Sequence, residues 1–187
     1  MRDSSFTPDQ GLLLISEPFL ADAYFKRSVV LLSEHDTEGT MGFILNKPTD
    51  LTINDAVDGF PMFDAPLYFG GPVNTDTLYY MHTKGDLLEG SREIINGVYW
   101  GGNFDQLKVL IETGQITPDE IRFYAGYSGW DNGQLDVELK EQAWMVSNGT
   151  LNYTFYKDTS ELWKSVVKSL GKDYAVMANF PEDPSLN

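Results

Sequence analysis

The chain contains no cysteine. That removes disulfides, zinc–thiolate centres, iron–sulfur clusters and any thiol nucleophile, and it fits a reducing cytosol. Histidine is almost as scarce. His35 and His82 are the only two, and no HxH or HxxxH spacing brings two imidazoles to one metal. No metal or cofactor is expected. Long apolar runs are missing as well. The run Gly11 to Ile15 falls far short of the roughly 20 apolar residues that a spanning helix needs, and the first ten residues are polar. Neither a membrane segment nor a targeting segment is expected. Basic residues are few: 13 Lys and Arg stand against 28 Asp and Glu, for a net charge of −15. The acids are spread along the chain, Lys26-Arg27 is the only adjacent basic pair, and no helix is basic. A phosphate backbone is repelled by such a chain, so direct DNA or RNA binding is not expected. A basic protein partner, or solubility alone, accounts for the charge.

What is present reads as an ordered globular protein. The 187 residues are 42% hydrophobic and 13% aromatic, enough for a real core. No repeat, low-complexity block or linker divides them, so one domain over residues 1–187 is expected, with its core at about 11–171.

Taken in order, residues 1–10 read as a loose arm. Leu12–Ser16 is a short buried strand stopped at Glu17-Pro18, and Phe19–Arg27 is about two helical turns. The apolar run Ser28–Ser33 and the stretch Thr40–Leu45 form a hairpin around the polar turn at 35–39, ended by Asn46-Lys47-Pro48. A short helix is predicted at 52–57, and strands at 67–69 and 78–82. Asn96-Gly97 marks a two-residue hairpin between 93–95 and 98–100. Residues 103–113 form a helix with Phe104, Leu107, Leu110 and Ile111 on one face and Gly114 as its stop. Thr117-Pro118-Asp119-Glu120 carries a capping box. Strand 143–147 and helix 159–170 follow, and the tail from Lys172 reads as frayed.

The densest stretch is Gly126–Leu139. Phe123, Ala125 and Tyr127 alternate with Arg122, Tyr124 and Gly126, a strand with two different faces. Asp131-Asn132-Gly133 is turn chemistry, with Asp131 or Asn132 as cap of the helix that follows. On that helix Leu135 and Leu139 face the core, Gln134, Glu138 and Glu141 line a polar stripe, and Asp136 and Lys140 are spaced for an exposed ion pair. Two readings stand. One is a strand–turn–helix corner pinned by Trp130; the other is a polar pocket floored by Gln134 and Glu138.

Familiar catalytic signatures are not met. Gly126-Tyr127-Ser128-Gly129 has its second glycine one residue too early for a nucleophile elbow. Gly70-Gly71-Pro72 has no downstream Gly-Lys-Ser/Thr and is no phosphate loop. Gly101-Gly102-Asn103 precedes a helix N-terminus, a common feature. Many of the aromatic residues fall on strands (Tyr79, Tyr80, Tyr99, Trp100, Tyr124, Tyr127, Trp130). Most belong in a core, and any on an outer face would make a binding surface.

An ordered set of short pieces carries a family resemblance. It comprises Gly11-Leu12-Leu13 with Pro18, Lys26 to Val30, Glu34-His35, Met41-Gly42 through Asn46-Lys47-Pro48, Gly70-Gly71-Pro72-Val73, and His82. It continues with Gly126-Tyr127 through Trp130, Gly133-Gln134-Leu135, Glu138 and Trp144. In this the chain resembles the AlgH/YqgE family of bacterial proteins over about residues 11–147. The resemblance implies an α+β fold: a mixed, bifurcated β-sheet curled into a pseudo-barrel with helices packed outside. It also implies a suggested role in transcriptional regulation, which this acidic chain would exert indirectly. The matched positions suggest one polar pocket formed by Asn46, Gly71, His82, Trp130, Gln134 and Glu138; a buried hydrogen-bond network holding an irregular sheet is the alternative. The reading is therefore a non-enzymatic cytosolic binding or indirect regulatory protein, with a protein partner or small ligand. Its rival is an enzyme that uses His82 as acid/base and Glu138 as its orienting or second titrating group.

Overall fold

Short apolar runs broken by glycine, proline and polar turns give short strands. The computed structural model describes residues 7–181 and holds ten strands among them. In chain order these are β1 (Leu12–Ser16), β2 (Val29–His35), β3 (Gly39–Ile44), β4 (Pro48–Thr52), then helix α1 (Ile53–Ala56), β5 (Pro66–Phe69), β6 (Val73–His82), β7 (Arg92–Ile95) and β8 (Val98–Trp100). Helix α2 (Phe104–Glu112) and a 3-10 turn (Pro118–Glu120) lead to β9 (Ile121–Asp131). The chain continues through α3 (Gln134–Lys140), β10 (Trp144–Asn148), α4 (Leu151–Thr154), α5 (Thr159–Ser169) and α6 (Lys172–Met177).

The strands join in the order β10-β1-β2-β3-β9-β6-β8-β7, with β5 beside β9 and β4 beside β5. The sheet forks at β9. Along one edge β9 pairs with β6 over most of its length. Its other edge is shared: residues 123–125 run parallel to β5, and residues 128–131 run antiparallel to β3. Gly126 sits at the fork with φ +69, an angle that costs glycine little. The two-residue alternation breaks there. Phe123 and Ala125 pack in one hydrophobic cluster, whereas Tyr124 and Tyr127 both pack in another. Tyr127 thus lies on the Tyr124 face and not, as strict alternation predicts, on the Phe123 face.

Three clusters follow from this fork. Leu14, Val30, Leu32, Ile44, Trp130 and Trp144 face one side of the β10–β3 arm under Leu135 of α3. Leu67, Tyr80, Ile121 and Phe123 face one side of the other arm, under Leu107, Leu110 and Ile111 of α2. The third cluster draws on both arms, from Leu13, Ile15 and Phe43 to Met81, Tyr124 and Val98, and marks the inside of the curl. Trp163, Leu162, Val166 and Val167 of α5 pack against it. The curl returns to its start where Gln10 Nε2 donates to the carbonyls of Glu93 (2.9 Å) and Ile94 (3.0 Å) of β7. The fold is thus α+β, a mixed bifurcated sheet curled into a pseudo-barrel with helices around it.

Four local expectations are corrected. Residues 19–27 form no two-turn helix: a single turn closes on Asp22, whose Oδ1 accepts from the amides of Tyr24 and Phe25, and Arg27 at φ +49 ends it. Pro48 does not merely stop β3. It opens β4, an edge strand where a missing donor does no harm. The 3-10 and α-helical caps at Thr117 and Thr52 form as capping boxes, but Gly133, in the left-handed region, caps α3 in place of Asp131 or Asn132. The tail from Lys172 continues as α6, with Tyr174, Met177 and Ala178 packed against the inner cluster; residues 182–187, like 1–6, lie outside the described part. Among the described residues no helix is long and apolar enough to cross a membrane.

Gly71 tests the fork. A Cβ there would lie 2.2 Å from the carbonyl carbon of Tyr127, at a backbone φ of +152. Gly71→Ala is expected to cost about 3 kcal/mol or more, read from urea unfolding; a variant as stable as the parent would mean the two segments part freely.

Candidate functional site

The corner after β9 is built around Glu138. α3 carries it one turn after Gln134, so both side chains share a helix face. Glu138 Oε2 accepts from the indole N–H of Trp130 (2.8 Å) and of Trp144 (2.7 Å). Glu138 Oε1 accepts from Gln134 Nε2 at 2.9 Å, and Gln134 Oε1 accepts from the Asp131 amide at 3.0 Å. The indoles are nearly buried and meet edge to face, with Phe25 against both. One carboxylate therefore satisfies two buried donors from two strands, β9 and β10. Both of its oxygens are engaged by protein donors, with Glu138 half-buried and Gln134 exposed beside it. Asp136 and Lys140, spaced for an ion pair, do not form one.

His82 lies elsewhere. Its ring is fully buried at the end of β6, stacked on Tyr99. Nδ1 accepts from the Lys84 amide (3.1 Å), and Nε2 lies 3.0 Å from the Gly101 carbonyl, to which it must donate. Ser91 Oγ, 3.2 Å from Nε2, gives its own proton to the Leu88 carbonyl. The ring is thus the neutral Nε2–H tautomer, and burial lowers its pKa. It ties the 83–91 loop and the Gly101-Gly102 turn to the sheet. Tyr80 does the same beside it, its hydroxyl donating to Gly102 at 2.5 Å and pushed up to about 12 by burial.

The six candidates do not converge. His82 pairs with Ile121, nine residues before Trp130 on β9, so the two lie toward opposite ends of a strand segment that spans at most about 30 Å at about 3.3 Å per residue. Asn46 bridges the backbone of a third region, accepting from Val29 N and donating to the Arg27 carbonyl, both at 2.9 Å. Gly71 lies against the backbone of Tyr127 and Ser128. Only Trp130, Gln134 and Glu138 come together, with Trp144, as a packed corner. Among the described residues no three histidine or acidic side chains group to hold a metal ion.

The strand aromatics do not make an outer surface either: all seven are buried or half-buried. An open cleft of about 590 Å³ occurs instead between the 3-10 turn and the α4–α5 connection. Leu151, Phe155 and Tyr156 line it with Asp119, Asp158 and Lys157, and Thr83 and Asn152 complete it. Buried Arg122 holds its floor from behind, donating to the carbonyls of Tyr156 and Leu45 and lying over the ring of Phe155. None of the six candidates lines the cleft. The sequence reading missed this cleft; the signal available for it was the run Tyr153-Thr154-Phe155-Tyr156, aromatic and uncharged yet outside any strand pattern.

The fold and its packed corner define a class, the α+β pseudo-barrel with a forked sheet. The chain belongs to the AlgH-like family, whose model matches residues 13–175. It is 45% identical over 177 residues to a UPF0301 protein of Chlorobium limicola, covering 95% of each chain. It is 44% identical over 188 residues to a UPF0301 protein of Bacteroides thetaiotaomicron, covering 100% of this chain and 95% of that one. The solution structure of the AlgH protein from Pseudomonas aeruginosa is similar at a TM-score of 0.73 and 27% identity, over 97% of this chain and 98% of that one. A Corynebacterium diphtheriae protein, DIP2367, shares the fold at a TM-score of 0.76 and 21% identity, over 94% of both chains.

Two measurements check the assignments. Glu138→Ala leaves two buried indole donors unpaired and is expected to cost about 3 kcal/mol in chemical denaturation, against about 1 kcal/mol for Glu138→Gln, which keeps an acceptor. Equal losses would mean the indoles find other partners. The depressed pKa of His82 fixes a sign. The unfolded chain takes up a proton near 6.5 while the folded one stays neutral to lower pH, so the unfolded state binds more protons. The stability due to His82 is whole above about pH 6.5 and declines below it until the folded pKa is passed. The difference in melting temperature between wild type and His82→Gln should shrink over that window; a constant difference would contradict the buried neutral ring.

Proposed function

We propose that this protein is a non-enzymatic cytosolic binding protein, regulatory in effect, that works through a protein partner or small ligand without touching nucleic acid. The observation behind this reading is that the two groups best suited to acid–base chemistry are each spent on structure. His82 uses both ring nitrogens on backbone and loop, and Glu138 uses both oxygens on indoles and an amide. The enzymatic alternative needs them within reach of one point, and they sit at opposite ends of β9. The charge of −15 supports the exclusion of nucleic acid, and the absence of cysteine fits the cytosol.

The cleft under Phe155 is the natural seat for a small ligand. Its volume lies within the range of ligand pockets. Asp119 and Asp158 at the rim outnumber Lys157, an exposed partner of Asp119 at 3.9 Å, and beside an aromatic floor that excess favours a cation with an apolar body. A thermal-shift series with spermidine, arginine amide and tryptamine is the test. We expect at least one to raise the melting temperature by several degrees, and the Asp119→Asn/Asp158→Asn variant to lose that gain. A shift that survives in the double variant would place binding elsewhere; no shift with any cation would remove this ligand class.

A further inference from the structure

Every sheet with free edges must keep other strands off them, and three of the four free edges here carry a device for it. β4 begins with Pro48 and carries Asp50. β7 carries Arg92 and Glu93, and Gln10 covers two of its carbonyls. The part of β6 that overhangs β8 carries Asp76 and a register break between Val73 and Leu78. β10 has none of these. Its ladder with β1 is unbroken from Trp144 to Asn148. No charged residue or proline occurs anywhere from Ala143 to Tyr156.

The direction of its backbone groups follows from the ends of the ladder. Gly149 N donates to Gly11 O and Glu17 N donates to Ala143 O, so residues 143, 145, 147 and 149 bond inward. By antiparallel alternation Trp144, Val146 and Asn148 turn their N–H and C=O groups outward. Among the described residues those groups have no ladder partner, since β10 pairs with β1 alone.

We propose that β10 is a strand-addition surface whose occupant is β10 of a second copy, paired antiparallel about a two-fold axis through Val146. The pattern suits itself. Val146 faces Val146 of the partner subunit, and Trp144 and Asn148 exchange places, so all three outward pairs close at once. Net charge opposes association of two copies, and it does so least at this edge. Two chains of −15 repel each other over most of their surface, and this neutral edge lets their backbones meet without opposing carboxylates.

The test is sedimentation velocity of the full chain from micromolar to millimolar concentration, with amide hydrogen exchange beside it. We expect a concentration-dependent dimer in which the amides of Trp144, Val146 and Asn148 gain protection as it forms. Val146→Pro removes an outward donor without touching the β1 ladder and is expected to weaken the dimer at least about tenfold, with some loss of monomer stability because Val146 packs against the cluster under α3. Asn148→Pro, at the exposed end, does the same should the first variant fold poorly. A chain that stays monomeric at millimolar concentration overturns the pairing and leaves the edge to an extended segment of another protein. A dimer untouched by both prolines, or one whose β10 amides stay unprotected, overturns it equally.

Discussion

Backbone packed directly on backbone at the fork of β9 is what the rest of the molecule depends on. β5 and β3 arrive at the same edge of β9 from opposite directions, and the chain between them must leave room for both. It does so with glycine. A Cβ on Gly70 would lie 2.2 Å from the Gly126 carbonyl oxygen, and one on Gly126 would lie 2.5 Å from the Gly71 carbonyl oxygen. Ser128 then fixes the approach, its hydroxyl donating to the Gly70 carbonyl at 3.0 Å. Because the two arms diverge from this point, their outer faces need separate helical covers. The surface they share becomes the inside of the curl.

Inside that curl the charges follow an unexpected rule. The chain has 28 acidic residues, yet among the described residues neither of its most enclosed arginines is paired with one. Arg122 donates to the carbonyls of Leu45 and Tyr156 and lies 4.9 Å from the Tyr68 ring centroid. Arg27 donates to the Phe180 carbonyl at 2.5 Å and lies 4.7 Å over Trp163. A guanidinium is planar and weakly hydrated, so aromatic faces and carbonyl dipoles can hold it where a carboxylate would itself have to be desolvated. Each arginine ties a C-terminal segment back to the sheet, which lets α4, α5 and α6 close the interior without a ladder of their own.

Much of the fold was legible in the sequence because its signals are local. The hairpins of β2–β3 and β7–β8, the faces of α2 and α5, the short helix after Thr52 and the capping box at Thr117 depend on residues a few positions apart. The missing pieces depend on tertiary context. β4 needs β5 beside it before Pro48 can count as an edge residue, and α6 is held by packing that no periodicity in Lys172–Met177 announces. The candidate pocket failed for a related reason. Asn46, Gly71, His82 and Glu138 share a polar or glycine identity in a family pattern, and such an identity is demanded as strongly by a hydrogen-bond or backbone contact as by a ligand. Only the Trp130–Gln134–Glu138 grouping was spaced closely enough, on a strand end and the next helix, for adjacency to follow from sequence.

The seam where the curl returns on itself has its own consequence. Between β1 and β7 there is no ladder, only one side-chain amide from Gln10 and, nearby, the exposed pair Arg92–Glu34 at 2.7 Å. A ladder is cooperative, but a bracket of one amide is not, and an exposed ion pair adds little. The closure is therefore a latch rather than a weld. What holds the β7–β8 hairpin there is its ladder to β6 and the burial of Ile94 and Val98 in the inner cluster, so the seam is kept shut by packing and not by its own hydrogen bonds.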